Sequence, residues 1–196
     1  MNDEQRDNRP FASVVLRQAV AVIVAIGVNI GLNYANNALS LPFFLDSIGT
    51  AVVAATAGLL PGLFVAVATN AAIEVVTGFP WIHLPFALCG VATALIVWGF
   101  VRSGRFADLG GALVATLAVA LANSVLGSII ATFVYGGITS VGVDYLVTGL
   151  VAGGRSLVSA TFWARVPANL VDKSIAVLAA FFLRPILTPL LKPSTS

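Results

Sequence analysis

The apolar positions of this chain fall into long blocks separated by short polar or proline–glycine breaks. Residues 11–32 form the first block, with Arg17 and Gln18 near its start. Residues 33–42, Asn-Tyr-Ala-Asn-Asn-Ala-Leu-Ser-Leu-Pro, read as a loop by turn chemistry. Phe43 to Gly78 is apolar again, broken in the middle by Leu60-Pro61-Gly62, so spans over 43–60 and 62–78 joined by a Pro-Gly turn are expected. A proline-rich aromatic turn, Trp81-Ile82-His83-Leu84-Pro85, leads to a span over 84–101. A span over 109–135 follows the polar loop from Arg102 to Arg105. The connection 136–160 contains an apolar piece, 144–152, suited to a short interfacial or re-entrant helix. The last span, 162–191, is longer than a bilayer needs, and Pro185 and Pro189 predict a stop or kink near its end. The expectation is an all-α membrane protein of six helices in one domain, with a polar tail over 1–10.

Composition agrees with that pattern. Of 196 residues, 59% are hydrophobic and 9% charged, against about 25% charged in a soluble domain. The net charge of +2 comes with no basic cluster, so no nucleic-acid partner is expected. Cys89, the only cysteine, excludes an internal disulfide. With the N-terminus inside, Arg6, Arg9, Arg17, Arg102, Arg105, Arg184 and Lys192 are cytoplasmic and only Arg155 lies in an outer loop. Both termini are then expected in the cytoplasm of a prokaryotic-type cell, with the chain in its plasma membrane.

The polar residues inside the blocks are not scattered. Arg165, Asn169 and Asp172 are spaced i, i+4, i+7, with Lys173 next, on one stripe of the last span. Asn70 and Glu74 share a face of the third with Thr77. Thr116, Ser124, Ser128, Thr132 and Tyr135 follow one stripe of the fifth. Asp46 stands near the start of the second, and Trp81, His83, Tyr135 and Trp163 fall at the same level. Ionisable groups at membrane depth mark sites facing protein or water. Apolar walls, stacking faces and a few placed polar groups make a small-molecule pocket. The expected binding set is therefore Asp46, Asn70, Glu74, Trp81, His83, Tyr135, Trp163, Arg165, Asn169, Asp172 and Lys173, with Arg165 near the rim. Adjacent on a helix, Asp172 and Lys173 point about 100° apart and need not pair with each other. Bland readings stand beside this one: an aromatic belt for the tryptophans, helix packing for the fifth-span stripe, and a structural salt bridge for the charges. No nucleophile elbow, phosphate loop or zinc motif is present, and neither catalysis nor a cofactor is expected.

The ordered set resembles the substrate-binding S components of energy-coupling-factor vitamin transporters. The resemblance rests on Ala21-x-x-x-Ala25, on Phe-Leu-Asp46-Ser-Ile-Gly-Thr with Gly58-Leu-Leu-Pro61-Gly62 and Asn70, on Trp81-Ile-His-Leu-Pro85-Phe, and on Pro167-Ala-Asn169-Leu-Val-Asp-Lys173. It implies capture of a vitamin-like molecule, riboflavin being one guess, and docking through Ala21 and Ala25 on a transmembrane T component powered by two ATPase subunits. It also implies gates at 78–84 and 136–160. A ligand-sensing membrane module and a stand-alone ion-coupled carrier are the alternative readings.

Overall fold

The computed structural model describes residues 3–78, 81–139 and 142–191, with the side chains of 3–12 left aside. All described regular structure is helical. In chain order it comprises α1 (Asp3–Ala38), α2 (Ile48–Thr56), α3 (Leu59–Val76), a 3₁₀ turn (Leu84–Phe86), α4 (Ala87–Arg102), α5 (Leu109–Tyr135), α6 (Asp144–Ala152) and α7 (Leu157–Leu191). Among the described residues five helical stretches are long and apolar enough to cross a membrane: 13–38, 59–76, 84–102, 109–135 and 157–191. The chain is a multi-pass membrane protein by this measure.

The expected second span differs. Residues 43–60 do not form one long helix but a non-helical stretch followed by the nine residues of α2, about 14 Å of helix. The asparagines near the end of α1 explain part of this. They stay helical instead of making a loop, and their amides hold the carbonyls of the following segment. Asn33 Nδ2 donates to Phe44 O at 3.1 Å and Asn36 Nδ2 to Phe43 O at 2.8 Å. The break before α3 also moves. It falls at Gly58, whose φ of 112° suits glycine alone. Pro61 lies within the first turn of α3, where its missing amide hydrogen has no partner to lose. At the chain's start helix is already present from Asp3, where a frayed tail is expected. At its end Pro185 and Pro189 sit inside α7, which runs on to Leu191.

Gln18 Nε2 donates to Leu191 O at 2.7 Å, so the start of the first long apolar stretch and the end of the last lie at the same end of the bundle. That end is packed solid. Ala51, Ala54 and Ala55 of α2 meet Ala94 and Val97 of α4, Phe106, Ala112, Ala115 and Val119 around the start of α5, and Ala176, Val177 and Ala180 of α7. Small side chains bring the helices close. At Gly49 the approach is closest, because a Cβ there would collide with the backbone of Ala25. Ala25 is thereby buried against α2, while Ala21 is half-buried. The open large apolar positions of α1 among the described side chains are Val15, Leu16, Val20, Ile23, Val24, Val28 and Tyr34.

Candidate functional site

The end of the bundle away from that core holds a cavity. Its volume is about 60 Å³ as room for the centres of water-sized spheres, and about 630 Å³ as all the empty space between its walls, open solvent included. An enclosed water needs about 10–15 Å³ on the first measure, so several waters or a small ring fit. Every element except α2 and α6 contributes through its cavity-end residues: Asn33, Phe44, Asp46, Asn70, Ile73, Ile82, His83, Phe86, Cys89, Asn123, Gly127, Thr139, Arg165, Asn169 and Lys173.

Six of the eleven expected residues therefore line one cavity: Asp46, Asn70, His83, Arg165, Asn169 and Lys173. Arg165 is not at the rim. It is 1% exposed, and its stem packs beside Gly127, where an added Cβ would lie in van der Waals contact with Arg165 Cδ at 3.4 Å. Its Nη2 donates to Thr139 Oγ1 at 3.4 Å, while Nε and Nη1 have no hydrogen-bond partner. Behind it, Asp144 accepts from both the backbone N–H and the hydroxyl of Thr139, at 2.7 and 3.1 Å.

The other cation is fully engaged. Lys173 Nζ contacts the Asp172 carboxylate directly, donates to Ser47 Oγ at 2.7 Å and lies 3.5 Å from Asp46 Oδ1. Asp172 and Lys173 thus do pair, because the flexible lysine stem closes the angle between neighbouring positions. Asp172 does not line the cavity and is completely buried. Its Oδ1 accepts the backbone N–H of Leu45, a residue at φ 50°.

Three lining asparagines present partly used amides. Asn169 Nδ2 donates to Ser124 Oγ at 3.2 Å, Asn70 Nδ2 to Ala66 O at 3.0 Å, and Asn123 Nδ2 to Thr93 Oγ1 and Val119 O. The stripe on α5 is mostly packing. Thr116 and Ser128 bond back to their own helix, and Thr132 meets Thr161 of α7 at 2.7 Å. Only Ser124 reaches the site, by holding Asn169.

Glu74, Trp81, Tyr135 and Trp163 stand outside the lining. Glu74 is 2% exposed, and its Oε2 accepts the backbone N–H groups of His83 and Leu84 at 2.7 and 2.9 Å. Tyr135 stacks on Phe86 and donates its hydroxyl to Trp81 O at 2.7 Å. Both fasten the segment that carries Ile82 and His83 over the cavity. Trp81, at φ 60°, and Trp163 point their rings outward, 64% and 54% exposed, as an interfacial aromatic does. Burial holds the His83 imidazole below its usual pKa, against the opposing pull of Glu74 and Asp46.

Asn123, Asn33 and Thr139 are functional candidates that the polar stripes did not single out. Asn123 and Gly127 are i, i+4 on α5, one position round from the serine–threonine stripe. That spacing is the available signal for Asn123, whereas Asn33, in the part of α1 that reads as a loop from sequence, and Thr139, between α5 and α6, carry none.

Compared with models of known families, with curated proteins and with solved structures, the chain matches none.

Proposed function

We propose that this chain is the substrate-capture subunit of an energy-coupling-factor type importer. It binds a small vitamin-like molecule at the cavity end and hands it to a transmembrane T component driven by two separate ATPase subunits. The observation that carries the reading is the one-ended cavity. Its wall holds a buried Arg165, a neutralised Lys173 and four asparagine amides, while the opposite half of the bundle is closed mainly by alanine and valine. A channel is polar along its whole length; a capture protein is open at one end. The lysine and arginine distribution faces the cavity outward from the plasma membrane. Because Ala25 packs inside the chain, the T component meets α1 on the open face formed by Leu16, Val20, Ile23, Val24 and Val28.

Isolation of the tagged chain from its own cells tests this. Co-purification of a T component and two ATPases, together with a retained small molecule, supports the reading. A retained molecule with no ATPase complex points to the sensor. Uptake by vesicles that contain this chain alone points to the ion-coupled carrier.

A further inference from the structure

Among the described residues the cavity wall carries one cation with no carboxylate in ion-pair contact, Arg165, which Asp144 attracts only from beyond that distance. Lys173 is matched by Asp172 and Asp46. Glu74 is held by backbone amides at the His83 segment. Arg165 has a single long hydrogen bond, and two of its three nitrogens have no partner. Asp144 does not fill those positions, because its carboxylate bonds to Thr139 fix that hydroxyl so that its oxygen accepts from Arg165. A buried guanidinium in this state is costly, since Thr139 and the more distant Asp144 repay only part of its desolvation. An occupant of the cavity that supplies acceptors would offset the rest of that cost.

We propose that the cavity takes a ligand bearing one carboxylate, seated against Arg165, with an uncharged hydrogen-bonding body lying on the amides of Asn70, Asn123 and Asn169. This rests on the capture reading and names its substrate class. A carboxylate matches a guanidinium in shape and gives charge-assisted bonds about twice as strong as a neutral carbonyl does. A phosphate dianion needs more than one free cation, and Lys173 is already matched. A cationic ligand meets Arg165 without a free carboxylate to offset it, because Asp46 is committed to Lys173 at 3.5 Å. His83 stays neutral at pH 7, its pKa held down by burial, and adds no second positive charge. Phe44, Ile73, Ile82 and Phe86 supply flat apolar walls for a ring.

Four probes that differ in one substituent test the proposal: benzoate, benzamide, phenyl phosphate and benzylamine. Each is titrated against the purified full chain in detergent, and the melting temperature is read for wild type, Arg165→Gln and Arg165→Lys. Benzoate is expected to raise the wild-type melting temperature saturably, with a midpoint at least tenfold lower than the other three. That rise disappears in Arg165→Gln and survives weakened in Arg165→Lys. Without any ligand, Arg165→Gln melts at or above wild type, because an unpaired buried charge is gone; a purely structural arginine predicts a lower melting temperature. If Arg165→Gln does not fold, Arg165→Lys carries the comparison. An equal response to benzamide, a preference for phenyl phosphate or benzylamine, or an unchanged benzoate shift in the variants overturns the carboxylate while leaving capture standing. If no probe binds, the molecule retained by the purified chain decides: an acidic group upholds the proposal and its absence overturns it. A chain that binds no probe and retains no molecule removes both the proposal and the capture reading.

Discussion

Asp172 Oδ1 accepts the backbone N–H of Leu45 at 2.8 Å, joining the middle of the last helix to a loop 127 residues earlier. The same carboxylate contacts Lys173, which in turn holds Ser47 and Asp46. One buried anion therefore sets both the path of the segment leading into α2 and the direction of the lysine in the cavity wall. Asp172→Ala leaves Lys173 with the Ser47 hydroxyl and one carboxylate, Asp46 at 3.5 Å, and breaking a buried pair costs about 3–5 kcal/mol. A marked fall in melting temperature is expected. Asp172→Asn combined with Lys173→Met removes both charges and should fall less than Asp172→Ala alone. A larger loss in the double variant contradicts the pairing.

Asn29 ties three helices together. Its Nδ2 donates to Thr50 Oγ1 and Thr69 Oγ1 at 3.2 and 3.1 Å, and its Oδ1 accepts Gly49 N–H at 2.7 Å. At roughly 0.6–1 kcal/mol per bond, Asn29→Ala should cost about 2 kcal/mol. Thermal unfolding in detergent reads this directly. Because Asn29 lies outside the lining, binding measured well below the melting temperature should change little.

Gly49 permits the contact between α1 and α2, and any side chain there meets the Ala25 backbone. Gly49→Leu should separate the two helices and lower expression and melting temperature more than Asn29→Ala does. Gly27→Leu, on the exposed side of α1, is the control, since a Cβ at Gly27 meets nothing within 4 Å. Equal damage from both substitutions contradicts the close approach.

His83 predicts a pH dependence. Burial lowers its pKa in the folded chain, with Glu74 and Asp46 opposing. The unfolded chain therefore takes up the proton first as pH falls. Stability from this group is complete above the unfolded value of about 6.5 and declines as pH drops below it. The wild-type melting temperature should fall between pH 7.5 and pH 5. His83→Gln should flatten that part of the profile, and an identical profile in the variant assigns the dependence elsewhere.

The stripes on the third and last spans were legible because helical spacing is rigid: Asn70, Arg165, Asn169 and Lys173 do reach one cavity. The short helix at 144–152 and the span at 109–135 also appear where polarity and turn chemistry put them. The span over 43–60 was not legible as α2, because an apolar run is compatible with helix or with non-helical chain. What decides between them is tertiary: Asn33, Asn36 and Asp172 supply hydrogen bonds to a backbone that would otherwise bond to itself. Arg165 was misjudged in depth for a related reason. Its position near the helix start suggests a place at the rim, but it is buried and bonded to Thr139.

Native mass spectrometry of the purified chain tests the central claim most directly, comparing wild type with Asn169→Leu. Asn169 lines the cavity and is held by Ser124, so leucine there removes a polar contact and fills space. Wild type is predicted to carry one small molecule per chain, released on denaturation, and Asn169→Leu to fold and carry none. An empty wild type under mild extraction, or equal occupancy in both, contradicts capture at this cavity.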